Sequence, residues 1–123
     1  MQPLRELAHT RQVPGEPRRR WFFSPDVDLI VWLDDAENLI GFQLCYDKMH
    51  GERALTWRTD RGYDHSGVDD GESHLPAYKQ APILVADGQL NRVRVSEIFH
   101  EASDAVPERI RAAIADLIDK APE

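Results

Sequence analysis

Four strand-like runs lie between residues 28 and 68, and the joints between them are too short to do more than reverse the chain. DLIVWLD (28–34) and LIGFQLCYD (39–47) are rich in β-branched and aromatic residues; RALTWRT (53–59) and YDHSGV (63–68) follow, with DDAEN, DKMHGE and DRG at the turns. Such runs read as strands. A parallel connection needs about a dozen residues to cross over, so these strands must pair as antiparallel neighbours in a meander.

Register follows from where each turn is centred. Centring the first hairpin on Ala36 sets Trp32 opposite Ile40 and Ile30 opposite Phe42. Centring the second between Met49 and His50 sets Phe42 opposite Trp57 and Leu44 opposite Leu55. One face then collects Ile30, Trp32, Ile40, Phe42, Leu44, Leu55 and Trp57, and a one-residue slip in either hairpin would scatter them. The other face carries Leu29, Val31, Leu33, Leu39, Gly41, Gln43, Cys45, Ala54, Thr56 and Arg58, smaller and more mixed. Turning the third hairpin around Arg61 places Asp64 opposite Arg58, His65 opposite Trp57, and Asp69 near Arg53.

The ends of the chain read differently. VPGEP breaks any regular element after the first residues, so 1–17 is expected as an N-terminal arm of flexible character and 18–123 as one domain. PILVADGQLNRVRV (82–95) has the form of another hairpin with Asp87-Gly88 at its turn. Val95, Ile98, Phe99 and Ala102 then follow helical spacing, with Ser96 as a candidate cap. Val106, Ile110, Ala113, Ile114, Leu117, Ile118 and Ala121 form a continuous apolar stripe, with Pro107 in the first turn and Pro122 at the end. Strands first and helices last predict an α+β domain. Its antiparallel meander has about five to seven strands, and two C-terminal amphipathic helices pack on one face. Ile110, Ile114, Leu117 and Ile118 are expected to cover Trp32, Phe42 and Trp57.

Charge and cysteine content exclude several functions. The formal net charge is −7, but residues 1–20 carry five Arg against two Glu, and the remainder ten basic against twenty acidic residues. An acidic body repels phosphate backbones, so nucleic acid is an unlikely partner. The lone Cys45 precludes an internal disulfide and a cysteine-based zinc cage. The first residues lack the apolar core of a signal peptide, and no run approaches a membrane span, which predicts a cytoplasmic protein.

The most site-like segment is RGYDHSGVDDGESH (61–74), which offers His65, Asp69, Asp70, Glu72 and His74 as candidate metal ligands beside Asp64. Carboxylates with imidazoles suit zinc, iron or manganese, and a metal-dependent, hydrolase-like enzyme is the rival reading. Strand geometry argues against it. Asp64 and His65 are neighbours and point to opposite faces, and His65 and Asp69 are separated by roughly 13 Å of extended chain. No H-E-x-x-H, calcium-loop, Gly-rich phosphate-loop or G-x-S-x-G pattern occurs. An ion-paired strand followed by a polar loop accounts for the segment, and neither a catalytic residue nor a cofactor is expected.

The preferred reading is a small non-catalytic binding domain whose partner is another protein or a second copy. The candidate surfaces are the mixed sheet face at Gln43, Thr56 and Arg58, and the basic run Arg18, Arg19 and Arg20 preceding Trp21. A weaker alternative is an acidic inhibitor or antitoxin-like protein docking on a basic partner.

Overall fold

The computed structural model describes residues 2–49, 51–69, 83–86 and 90–122. Among the described residues seven strands form one sheet in chain order: β1 (Arg5–Glu6), β2 (Arg18–Phe23), β3 (Asp28–Leu33), β4 (Leu39–Tyr46), β5 (Arg53–Arg58), β6 (Gly62–Asp69) and β7 (Ile83–Ala86). Every neighbouring pair is antiparallel. Helices α1 (Arg92–Ala102) and α2 (Glu108–Asp119) follow. This is the α+β meander with two terminal helices that the runs and the stripe imply.

The first hairpin departs from its expected register, and the departure decides the core. Its turn is centred on Ala36 as expected. Asp34 N–H donates to the Asn38 carbonyl at 2.9 Å, Asp34 Oδ1 accepts from the Ala36 and Asn38 amides at 2.9 and 2.8 Å, and Leu33 pairs with Leu39. Ile40 is then an extra residue. Beyond it Trp32 pairs with Gly41, Val31 with Phe42 and Ile30 with Gln43. A bulge of one residue exchanges the faces of everything past it. Leu29, Val31 and Leu33 turn to the core, each at most 1% exposed, whereas Ile30 and Trp32 turn away from it.

The other hairpins fare better. Phe42 faces Trp57 and Leu44 faces Leu55 as expected. The Phe42 and Trp57 rings lie 6.4 Å apart. The third turn occupies residues 59–61. Arg61 N–H bonds the Arg58 carbonyl at 3.1 Å, and Gly62 takes φ +77°, a left-handed conformation that costs a side-chain-bearing residue more. His65 therefore pairs with Leu55 rather than Trp57, and Asp64 with Thr56 rather than Arg58, while Gly67 and not Asp69 pairs with Arg53. The shift is two residues, so each side chain keeps its expected face. The hairpin expected over 82–95 does not form: β7 pairs with β6, and Arg92–Val95 begins α1 instead. Asn91, not Ser96, caps that helix, its side chain accepting from Arg94 N–H at 3.1 Å.

Both helices lie on the face of Phe22, Leu29, Val31, Leu33, Phe42, Leu44 and Leu55, adding Val95, Ile98, Phe99, Val106, Ile110, Ile114 and Ile118 to one buried cluster. The α2 stripe behaves as its spacing implies, but it covers Phe42 and Trp57 without Trp32. Polar contacts fix the helices at their ends. Tyr63 Oη donates to the Leu117 carbonyl at 2.6 Å, Arg94 grips Asp47 with two bonds of 2.7 and 2.6 Å, and Arg109 reaches Asn38 at 2.7 Å.

Residues before 18, expected as an arm, contribute structure. Leu4 is fully buried and its N–H bonds the Ala102 carbonyl at 2.9 Å, while Arg5 and Glu6 pair with Phe23 and Phe22. Beyond β1 the outer edge of β2 is met by a side chain. Gln12 accepts from Arg19 N–H and donates to the Arg19 carbonyl, both at 2.8 Å, as an added strand would. An amide that occupies both backbone groups blunts the edge against strand addition.

Two outcomes test this fold. Leu29→Ala should cost about 2–5 kcal/mol in chemical denaturation, and Ile30→Ala less than half as much; equal losses would contradict the bulged register. Gln12→Ala should speed hydrogen exchange at the Arg19 amide about two- to tenfold, reflecting roughly 0.5–1.5 kcal/mol for the lost bond. Unchanged exchange would mean that Gln12 does not hold the edge.

Candidate functional site: the sheet face opposite the helices

Among the described residues, no helix or strand is laid over the second face of the sheet. The pairing arranges it in rows. One runs Arg19, Trp32, Gly41, Arg58, Gly62; the next Trp21, Ile30, Gln43, Thr56, Asp64; the third Phe23, Asp28, Cys45, Ala54, Ser66. The β2–β3 side carries Trp21, Phe23, Ile30 and Trp32 flanked by Arg19 and Asp28; the β4–β6 side is smaller and more polar, with Ala54 and Ser66 buried in the third row. Trp21 is 37% exposed, a large aromatic at the water boundary.

Gly41 shapes the centre. A Cβ there would come within 3.2 Å of Trp32 Cε3, 3.1 Å of the Trp57 carbonyl oxygen and 3.5 Å of Arg58 Cδ. Its missing side chain lets the Trp32 ring and the Arg58 stem lie across the same spot. The Arg58 guanidinium stands 4.6 Å from the Trp32 ring centroid, a cation–π contact. Beside it Gln43 Nε2 donates to Thr56 Oγ1 at 3.3 Å. These residues line an open cavity of ≈ 410 Å³ together with Arg61, Gly62, Tyr63 and Asp64. The three sheet-face candidates Gln43, Thr56 and Arg58 are thus brought together. Trp32 and Arg61 join them without a sequence signal: the bulge turns Trp32 to this face, and Arg61 reads only as a turn residue.

The other candidates are spread. Arg18 pairs with Glu37 at 2.7 Å. The Arg19 guanidinium donates to the Arg11 carbonyl at 3.2 and 2.6 Å. Arg20 holds Glu6 through two bonds of 2.7 and 2.6 Å, which pulls the Glu6 carboxyl below its ordinary value against the opposing effect of burial. The triplet alternates between faces and is engaged with the chain's own acceptors.

In the 61–74 segment, His65 lies on the helix-covered face. Its Nε2 is 2.5 Å from Tyr46 Oη and the two rings stack 6.0 Å apart. Asp64 is on the opposite face, accepting from Ser66 Oγ at 3.0 Å, so the expected ion pair with Arg58 gives way to this bond and to the Arg58–Trp32 contact. Asp69 ends β6, paired with Ile83 and not with Arg53. Asp70, Glu72 and His74 lie outside the described residues. Among the described residues no three His, Cys, Asp or Glu side chains are grouped to hold a metal, and no helix is long and apolar enough to cross a membrane.

Cys45 sits in the third row. Desolvation by burial, reinforced by the carboxylates of Glu52 and Asp28, pushes its thiol up to about 12. The nucleophilic thiolate is then scarce at neutral pH.

Comparison with protein-family models, curated proteins and solved structures finds no match for this chain.

Iodoacetamide at pH 8 should therefore label Cys45 at least tenfold more slowly in the native protein than in denaturant, followed by mass spectrometry. Equal rates would show the thiol to be freely ionising.

Proposed function

We propose that the protein is a small non-catalytic interaction module that docks another protein chain on the face of its sheet opposite the two helices. One observation carries this reading. The helices bury a single face, while Trp21, Ile30 and Trp32 stand on the other, with a polar cavity alongside. A contiguous face with aromatic anchors and a polar flank has the composition of an interface: Trp and Arg dominate binding energy where water is excluded around them. The basic run is a poorer candidate surface, because Arg18 and Arg20 are already ion-paired.

Site-specific photo-crosslinking tests the proposal. A crosslinking side chain at Ile30 should give a discrete adduct with a protein chain in cells, either a partner or a second copy. The same group at Glu97, exposed on the outer side of α1, should give none. Adducts at both positions, or at neither, would overturn the reading.

A further inference from the structure

The Arg58 cavity has an unspent binding capacity. Arg58 is half-buried, yet its guanidinium makes no ion pair and donates no hydrogen bond to the protein among the described residues; its contact is the Trp32 ring. Arg61, on the same cavity wall, likewise makes no ion pair among the described residues. This contrasts with Arg18, Arg20, Arg94 and Arg111, each of which grips a carboxylate. In a chain of net charge −7, two guanidinium groups with no carboxylate partner among the described residues thus line one concavity.

We infer that this cavity takes a carboxylate carried by the docked chain, with an apolar group of that chain beside it on Trp32 and Ile30. The inference rests on the preceding reading that this face docks a protein. Arg58 meets Trp32 through a cation–π contact and donates no hydrogen bond to the described residues, so its N–H groups are available to the two oxygens of a carboxylate. Thr56 Oγ accepts from Gln43, so its own hydrogen is available to a second anion oxygen. Asp64 on the rim, turned to Ser66, brings the formal charge of the lining to +1, which suits a monoanion better than a phosphate dianion. The gap at Gly41 lets Trp32 and Arg58 pack against each other, so little ordering remains to be done on binding.

The test uses the full chain and N-acetyl-leucine, which pairs one carboxylate with one apolar side chain. Its titration should move the Arg58 Nε–H and Trp32 indole N–H signals in NMR spectra to saturation. N-acetyl-leucinamide at equal concentration should not, and inorganic phosphate should bind more weakly. Arg58→Gln should weaken N-acetyl-leucine about tenfold or more, with the remaining amide spectrum unchanged; Arg61→Gln should weaken it several-fold. Equal shifts with the amide, tighter phosphate binding, or an unaffected Arg58→Gln variant would overturn the assignment. An adduct at position 30 without N-acetyl-leucine binding would overturn the carboxylate site and leave the docking reading standing. N-acetyl-leucine binding without an adduct would leave a small-carboxylate site and overturn its assignment to a partner chain.

Discussion

The extra residue at Ile40 decides which side of β3 meets the helices. DLIVWL is apolar on both faces, so either could serve as core. With the bulge, Leu29, Val31 and Leu33 join Phe42, Leu44 and Leu55 under α1 and α2, and the bulkier Ile30 and Trp32 stand outside. A bulge adds twist and breaks alternation locally while the ladder resumes beyond it. Here it converts a chain with one evident hydrophobic face into a sheet with a closed core and a second aromatic face.

This explains how far the sequence could be read. The four strands between residues 28 and 68, their order, the antiparallel meander and the final helix follow from run length, loop length and the Val106–Ala121 stripe, and all are present, whereas β1 and the helical start at Arg92 are not foreseen. The second hairpin was legible because Phe42, Leu44, Leu55 and Trp57 alternate with small or polar residues. The first was not, since alternation specifies register only where the two faces differ. Arg92–Val95 reads equally as strand or helix over so short a span, and Asn91, which caps α1, is a common turn residue as well. Of the candidate site, Gln43, Thr56 and Arg58 were recognised as neighbours because the second hairpin was registered correctly. Trp32 required the bulge, and the Gly41 gap beneath it has no signature beyond a single glycine in a strand.

The charges organise around the same asymmetry. Arg20 with Glu6, Lys48 with Asp28 and Arg94 with Asp47 join neighbouring elements through partly buried pairs. Such pairs contribute modestly to stability when water reaches them, but they settle which side chains are free. The basic run, conspicuous in the sequence, is largely satisfied within the fold. Arg58 and Arg61 are inconspicuous, being single residues in the sequence, and they line the cavity with no carboxylate partner among the described residues. Clustering along the chain is therefore a poor guide to electrostatic availability, because a strand sends successive residues to opposite faces.

A sheet with an aromatic outer face has to avoid indiscriminate pairing, and the chain does so at its edge. An open strand edge adds any extended chain through backbone bonds, irrespective of side-chain chemistry. At β2 the Gln12 amide occupies both bonding groups of Arg19, and β1 occupies the edge at Phe22 and Phe23. At this edge backbone addition is opposed, whereas the adjoining face offers side-chain chemistry. On that face the row Trp32–Gly41–Arg58 presents an indole and a guanidinium held together by the absence of a single Cβ. If the face docks a partner as proposed, selectivity follows from the need for an apolar group and an anion to arrive together, since either alone would leave the indole or the guanidinium unmatched.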